Sequence, residues 1–337
     1  MDMVIILLGP TGVGKTALSL LLAKRLATEI ISADSMQVYR HMDIGTAKPA
    51  PEERTEIPHH MIDVAEPWEH YSTGRYVAAV RPIIDRLLER GKIPLIVGGT
   101  GLYIKAMTRG IFTGPSADWT LREQLLALER QARGTLYESL KTLDPESAAK
   151  IMPTDSRRLI RALEVCLTSN KPMSAMQRAL THPFPYAFVK IGVTRQRKEL
   201  YHRIEQRVDW MREAGLVEEV RKVLALIGAH GAASGCLPSK AEPLTREQWI
   251  DSIVRATPSM QAIGYKEIAL YLTGRIGAEE AFSLVKRASK RYAKRQFTWF
   301  KQEEDVQWFD ISGTDDPHAA LEKMEPLLSR AIDAGMG

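Results

Sequence analysis

The stretch Gly9-Pro10-Thr11-Gly12-Val13-Gly14-Lys15-Thr16 satisfies G-x-x-x-x-G-K-[ST] in full. It follows a hydrophobic run, Val4 to Leu8, and opens a helical pattern, which is the context the motif requires. Glycines let successive backbone N–H groups turn onto phosphate oxygens at a helix N-terminus. Lys15 adds a point charge, and the Thr16 hydroxyl is a suitable ligand for Mg²⁺. These residues predict a diphosphate-bearing ligand without saying which one. A second strand-like run ends in Ser32-Ala33-Asp34-Ser35, and a third in Val97-Gly98-Gly99-Thr100-Gly101. Many P-loop ATPases carry an Asp at a later strand end, where it supports Mg²⁺ and nucleotide hydrolysis. Here that place offers the Thr100 hydroxyl, and the carboxylate beyond an early strand is Asp34. Strand C-termini of a parallel sheet converge on the ligand crevice, so residues 9–16, Asp34 and Thr100 are expected to lie together. A carboxylate facing a bound diphosphate suits a base for an incoming nucleophile. The plain alternative is that Asp34 caps a helix starting near Ser35.

Charge is the second signal. Forty-six Lys and Arg against 41 Asp and Glu leave a net +5, which favours a polyanionic partner. Lys286-Arg287, Lys290-Arg291 and Lys294-Arg295 repeat at a four-residue step, with no acid from Ala281 through Gln302. In isolation such stacking of like charges costs a few tenths of a kcal/mol per pair. A polyanion along the stripe would reverse that cost by counterion release, and an ordinary solvated face is the alternative. The nearby Tyr292, Phe297, Trp299 and Phe300 read as core packing of the helix end in preference to base stacking. Arg157, Arg158 and Arg161 fall on the polar side of a helix whose Leu159, Ile160, Leu163 and Leu167 face inward. Arg203 and Arg207 stand one turn apart on a helix with a buried stripe of Leu200, Ile204, Val208 and Met211. For these two, a surface pair with Glu199 or Glu205 is the plain reading. The eight histidines, His59-His60 included, form no metal pattern. Cys166 and Cys236 are too few for a disulfide framework or a four-cysteine zinc site. Hydrolase signatures of the G-x-S-x-G and H-E-x-x-H types do not occur.

These groups need elements to hold them. Over the first hundred residues, strand-like runs at Val4 to Leu8, Glu29 to Ser32 and Pro94 to Val97 alternate with helical patterns at Thr16 to Ala27 and Tyr76 to Arg90. That alternation predicts a parallel sheet covered by helices. From about Ala117 the texture becomes charged and helical: Leu121 to Arg133, Ser147 to Ile151, and Ser156 to Leu167 with Thr154-Asp155 as caps. Phe188 to Thr194 returns the chain to the sheet. Helices are expected over Lys198 to Leu226, Gln248 to Tyr271 and Ala278 to Phe300, with a loop at Gly228 to Pro243 and a last strand at Val306 to Ile311. The expected class is α/β, a P-loop NTPase-like parallel sheet flanked by helices with an inserted all-helical domain. The core would be 1–117 with 185–337, and the insertion 118–184. At 337 residues, 45% hydrophobic and 26% charged, the composition excludes wholesale disorder. No apolar run approaches the roughly twenty residues that cross a bilayer. With no basic leader before Val4, a cytoplasmic location is expected.

Residues 34 to 49 read Asp-Ser-Met-Gln-Val-Tyr-Arg-His-Met-Asp-Ile-Gly-Thr-Ala-Lys-Pro. Together with the glycine loop, Gly98 to Tyr103, Asp155 with Arg158 to Val165, Arg203 to Arg207, Ile263-Gly264-Tyr265 and Ala293 to Phe300, they make the chain resemble the bacterial tRNA dimethylallyltransferases, also called tRNA isopentenyltransferases. The resemblance departs at Gly12-Val13, where Ala-Ser is common, at His41 in place of Gly, and at Arg75-Tyr76 in place of Asp-Phe. The Gly228 to Pro243 stretch is also longer than usual. What the resemblance implies is transfer of a dimethylallyl group from dimethylallyl diphosphate to the N6 amine of the adenine 3′ of the tRNA anticodon. It implies catalytic roles for Asp34, Thr100 and Arg207, diphosphate binding by Gly9 to Thr16, and Mg²⁺ on Thr16. It also implies tRNA contact, through the anticodon stem-loop, by Asp34, Ser35, Met36, Gln37, Thr100, Arg122, Arg157, Arg158, Leu159, Ile160 and Arg161. A monomer without a membrane partner is expected. Rival readings are a P-loop nucleoside or metabolite kinase, a non-catalytic P-loop module that binds RNA, and a transferase that prenylates free adenine nucleotides.

Overall fold

The computed structural model describes residues 2–112, 114–234 and 245–335. Six strands, β1 (Met3–Leu8), β2 (Ile30–Ala33), β3 (His59–His60), β4 (Leu95–Gly98), β5 (Ala187–Thr194) and β6 (Val306–Asp310), form one sheet in the order β3-β2-β4-β1-β5-β6. Every pairing is parallel. The unbroken apolar run of β1 is buried along its whole length, as expected for a central strand with helices over both faces. Ile5 and Leu7 pack with Leu18 and Leu22 of the helix Lys15–Arg25. The helix Thr73–Glu89 buries Tyr76, Val80, Ile84 and Leu87 at helical spacing.

This strand order produces the crevice. From β1 the chain crosses to β2, leaving the gap that β4 fills, and β5 then pairs on the opposite side of β1. Ligands bind at such a switch point, beyond the strand C-termini. Gly98 of β4 stands level with Leu8 of β1 and with Ala33 of β2. Gly9, Asp34 and Gly99 therefore leave the sheet at one height.

The chain divides into two compact units, Met1–Ile104 with Pro185–Gly337, and Lys105–Phe184. The first boundary thus falls at Lys105, ahead of the 118 expected. Within the second unit, the helices Trp119–Gln131, Thr135–Leu143 and Ser156–Ser169 bury Leu125, Leu136, Leu140, Leu159 and Leu163 together. Asp155 does cap Ser156–Ser169, its side chain accepting the N–H of Arg158. Leu167, expected on the inner face, is 45% exposed.

Several expected helices are shorter or longer than read. Lys198 to Leu226 is two helices, Arg197–Glu213 and Leu216–Ser234, because Gly215 at φ 96° turns the chain into left-handed space. The second runs through Gly228 to Ser234, which had been expected as loop; the remainder of that stretch, with Cys236, lies outside the described residues. Gln248 to Tyr271 resolves into Arg246–Ala256, a 3₁₀ turn at Ser259–Gln261 and Tyr265–Leu272, interrupted at Pro258 and at Gly264. Ala278–Phe300 is one helix, as read. The strand His59–His60 and the helices Pro317–Glu322 and Glu325–Gly335 had no counterpart in the sequence reading. Cys166 is buried with a free thiol.

Candidate active site

A cavity of about 450 Å³ opens where the strand ends meet. Its lining includes Thr11, Gly12, Gly14, Lys15 and Thr16 of the glycine loop, Asp34 and Gln37 after β2, Gly98 and Gly99 at the end of β4, and Arg203, Gln206, Arg207 and Gln296 from two helices. Of the expected diphosphate loop, Gly9, Pro10 and Val13 are not among the lining residues, and the Val13 side chain is in the core.

The loop is braced by arginines of the β5 end and the 197–213 helix. Arg195 Nε donates to the Val13 carbonyl at 2.8 Å, and Arg203 Nε to the Gly12 carbonyl at 3.2 Å. In a trans peptide the N–H points opposite to the carbonyl, so pinning the Val13 oxygen aims the Gly14 N–H the other way. Glu199 is taken by Arg195 and Glu205 by Lys290, whereas Arg203 pairs with Asp315; neither expected surface partner is used by Arg203 or Arg207. Arg195 was missed in the sequence, where it is one basic residue after a strand.

Lys15 Nζ donates to the Gly9 and Pro10 carbonyls, each at 2.9 Å. Burial holds its pKa down at about 8; the Asp34 carboxylate works against that burial and the Arg207 guanidinium adds to it. Arg207 is likewise pushed below the usual arginine value by burial, with Asp34 opposing. Its Nε is buried and has no hydrogen-bond partner. A buried donor left unmatched is costly, and an anionic oxygen in the cavity is the partner it fits.

Asp34 Oδ1 accepts the N–H of Met36 at 2.8 Å and of Gln37 at 3.3 Å. The following residues form turns, with no helix starting near Ser35, so the cap reading becomes an Asx-type turn. Both turn bonds use Oδ1, which leaves Oδ2 for the cavity that Asp34 lines. Thr100 is not among the cavity-lining residues; it sits next to Gly99, where its Oγ1 accepts the N–H of Ser35 at 2.9 Å. The Gln37 amide is bound internally, accepting from Ser32 Oγ at 2.9 Å and donating to the Thr46 and Ala47 carbonyls. Met36 packs against apolar core.

The segment after Asp34 is pinned from a distance. Glu219 accepts the backbone N–H groups of Asp43, Ile44 and Gly45 at 2.8, 2.7 and 2.9 Å, and the Tyr265 hydroxyl at 2.6 Å. This accounts for Ile263-Gly264-Tyr265 as a brace, and Glu219 itself was not singled out in the sequence.

Other expected nucleic-acid residues divide by exposure. In the helical unit Arg157 and Arg158 are exposed. Leu159 is fully buried, which removes its side chain from any surface contact, and Ile160 is partly buried against the same core. Arg122 binds Glu164 through Nε and Nη2, both at 2.8 Å, and Arg161 Nη1 reaches the same carboxylate at 2.6 Å. Burial resists ionisation of Glu164, but these bonds and the Asp118 N–H outweigh it and lower its pKa. On the 278–300 helix, Lys286 pairs with Asp209 at 2.6 Å and Lys290 with Glu205. The stripe is therefore free of acids along its own sequence but not in space. Arg291, Lys294 and Arg295 remain exposed and line an open groove with Trp299, which is 38% exposed; only Phe300 of the terminal aromatics is fully in the core.

The fold and site define a P-loop protein in which a strand-end carboxylate and two half-buried cations face one cavity. A family model described as IPP transferase matches residues 37–303, and one described as isopentenyl transferase matches residues 2–63. A tRNA dimethylallyltransferase of Thermodesulfovibrio yellowstonii is 52% identical over 329 residues, covering 98% of either chain. One from Bacillus subtilis is 43% identical over 311 residues, 92% of this chain and 91% of the other. Among solved structures, the full-length tRNA isopentenylpyrophosphate transferase of Bacillus halodurans matches with a TM-score of 0.67 and 39% identity, covering 99% of this chain and 98% of that one. A eukaryotic dimethylallyltransferase acting on tRNA matches with a TM-score of 0.76 and 28% identity, covering 98% and 80%. The chain belongs to the IPP transferase family. Among the described residues no helix is long and apolar enough to cross a membrane.

Proposed function

We propose that this protein transfers a dimethylallyl group from dimethylallyl diphosphate to the N6 amine of the adenine 3′ of the anticodon in tRNA. The observation that carries the reading is the orphaned Nε of Arg207, buried opposite Asp34 beside the glycine loop. The family membership and the names of the relatives support the same reaction.

As the allylic C–O bond breaks, its electron pair passes to the diphosphate, while the N6 lone pair forms the new N–C bond. Leaving-group charge must be met by donors already in place. Lys15, Arg207 and the loop N–H groups are assigned as those donors, and the Thr100 hydroxyl, one residue past Gly99 of the cavity lining, is assigned to the bridging oxygen. Adenine N6 is a poor nucleophile because its lone pair is delocalised into the ring. Asp34 Oδ2 takes the N6 proton as the bond forms. The adenine must leave its stack to reach the crevice.

Mg²⁺ suits the donor set. Thr16 offers a hydroxyl oxygen on the cavity wall, and the described residues include no cluster of three or more carboxylate, His or Cys ligands. That pattern fits an ion held chiefly by phosphate oxygens and water; when bound, it would neutralise diphosphate charge. Arg157 and Arg158 in the helical unit, and Arg291, Lys294 and Arg295 on the long helix, are the exposed cations for an RNA backbone.

The test is nucleoside mass spectrometry of tRNA incubated with protein, Mg²⁺ and either dimethylallyl diphosphate or ATP. A dimethylallyl mass gain on adenosine with the first donor alone is expected. Consumption of ATP with phosphorylated product, or prenylation of free adenine nucleotides in preference to tRNA, would replace the reading with one of its rivals.

A further inference from the structure

We propose that Gln296 is a positioning residue for prenyl transfer, a strap that fixes the diphosphate loop at a set distance from the Thr100 turn. Its side chain bridges two loops that leave different strands. Oε1 accepts the N–H of Thr11 at 2.8 Å, and Nε2 donates to the Gly99 carbonyl at 2.9 Å. The residue is 6% exposed, so neither bond has water as a ready substitute. A single amide thus matches one donor on the first loop and one acceptor on the second, which no other neutral side chain of that length does except a protonated Glu.

The geometry continues past Gly99. Thr100 N–H donates to the Ala33 carbonyl at 3.0 Å, and Thr100 Oγ1 accepts the N–H of Ser35 at 2.9 Å. One chain of bonds therefore runs from the diphosphate loop through Gln296 to the Thr100 turn and on to the residue after Asp34. The approach is close enough that a Cβ on Gly99 would stand 2.2 Å from Gln296 Nε2. Tyr292, one helical turn before Gln296, lies near Thr100 and Gln296, so the 278–300 helix faces the turn at two successive positions. Breaking the strap lets the leaving-group donors and the Thr100 hydroxyl drift relative to one another, and misplacement of about 1 Å can cost on the order of 10² in rate.

The inference rests on the prenyl-transfer reading, and the experiment separates the two. Single-turnover prenyl transfer to tRNA is compared for wild type, Gln296→Met, Gln296→Glu, and Gln296→Met combined with Thr100→Ala. Gln296→Met keeps the length and loses both bonds. Its rate should fall roughly tenfold to a hundredfold, with dissociation constants for tRNA and dimethylallyl diphosphate within about threefold. Added to Thr100→Ala, the same change should cost less than about threefold, because the group it positions is already gone. Ionised, Gln296→Glu keeps the Thr11 bond and sets a carboxylate oxygen against the Gly99 carbonyl; protonated, it restores both bonds. Its rate relative to wild type should rise several-fold as pH falls from about 8 to about 6, since burial raises a carboxyl pKa. A merely structural prop would lower Tm without that pH dependence. A Met variant within about twofold of wild type, a flat Glu ratio, or fully additive losses would overturn the strap. Wild type that prenylates no tRNA would instead overturn the underlying reading and the strap with it.

Discussion

The hydroxyl oxygen of Thr100 accepts the backbone N–H of Ser35 at 2.9 Å, tying together strand ends 65 residues apart. Because the hydroxyl acts as acceptor there, its own proton is left to donate. Thr100→Ala should lower the single-turnover rate on the order of tenfold to several hundredfold, the range for one lost transition-state donor. Thr100→Ser keeps both the acceptor and the proton and should retain most of the activity. If Ser is as poor as Ala, the methyl group matters for packing and the donor role is wrong.

The acids facing the basic stripe redirect the RNA-binding prediction. Lys286 and Lys290 are tied to Asp209 and Glu205, while Arg291, Lys294 and Arg295 are exposed beside Trp299. Neutralising those three should flatten the salt dependence of tRNA affinity by about one unit of slope per lost phosphate contact. Lys290→Gln alone should leave the slope in place. Titrations of tRNA binding at a series of KCl concentrations measure it, and an unchanged slope in the triple variant would reduce the stripe to a solvated helix face.

What was legible in the sequence is what lies close along the chain. The glycine loop, Asp34 at the end of β2 and the turn at Gly98 to Thr100 could be placed because each is contiguous with a strand that announces itself. Gln296 could not: its partner Thr11 is 285 residues away, and the block Ala293 to Phe300 shows an amide without showing what it meets. The same holds for Glu219, whose three N–H donors lie on a loop some 175 residues earlier. Arg122 and Arg161, expected as tRNA contacts, are the opposite case, since the carboxylate that holds both, Glu164, is invisible until the helices pack. The helix break at Gly215 was missed because glycine inside an apolar pattern is locally tolerable, and only the backbone shows its φ of 96°.

Lys15 should make diphosphate binding pH-dependent. Its pKa in the free protein is about 8, against an ordinary 10.5, chiefly through burial. The sign is that of a lysine with a depressed pKa: the folded protein carries the full cost of the buried charge below about 8, and that cost eases between about 8 and 10.5. A bound diphosphate favours the ammonium and pulls the pKa back up. Binding of magnesium diphosphate near pH 9 should therefore take up close to one additional proton, and affinity should fall as pH rises through that window. Calorimetry in two buffers of different ionisation enthalpy reads the uptake directly. Lys15→Arg, charged throughout, should bind without the extra proton; equal uptake by both proteins would remove Lys15 as its source.

Asp34 carries the sharpest prediction because the turn occupies only one of its two oxygens. Oδ1 holds the turn through the N–H groups of Met36 and Gln37. In the proposed mechanism Oδ2 is the oxygen that takes a proton from the attacking amine. Asp34→Asn retains an acceptor for the turn and loses the basic oxygen and the charge. Loss of a positioned general base costs on the order of 10² to 10⁴ in rate. The single-turnover rate should fall in that range, while tRNA affinity, set mostly by backbone contacts, stays within a few-fold of wild type. A second effect accompanies it. The carboxylate helps keep Lys15 and Arg207 charged, so the Lys15 pKa should drop further and diphosphate affinity should begin to fall at lower pH than in wild type. Asp34→Ala loses the turn as well and should also lower Tm. If the carboxylate only shapes the turn, Asn is an adequate substitute, and activity survives Asp34→Asn but not Asp34→Ala. An Asn variant that turns over within about threefold of wild type would leave Asp34 as a turn residue and take the base out of the mechanism.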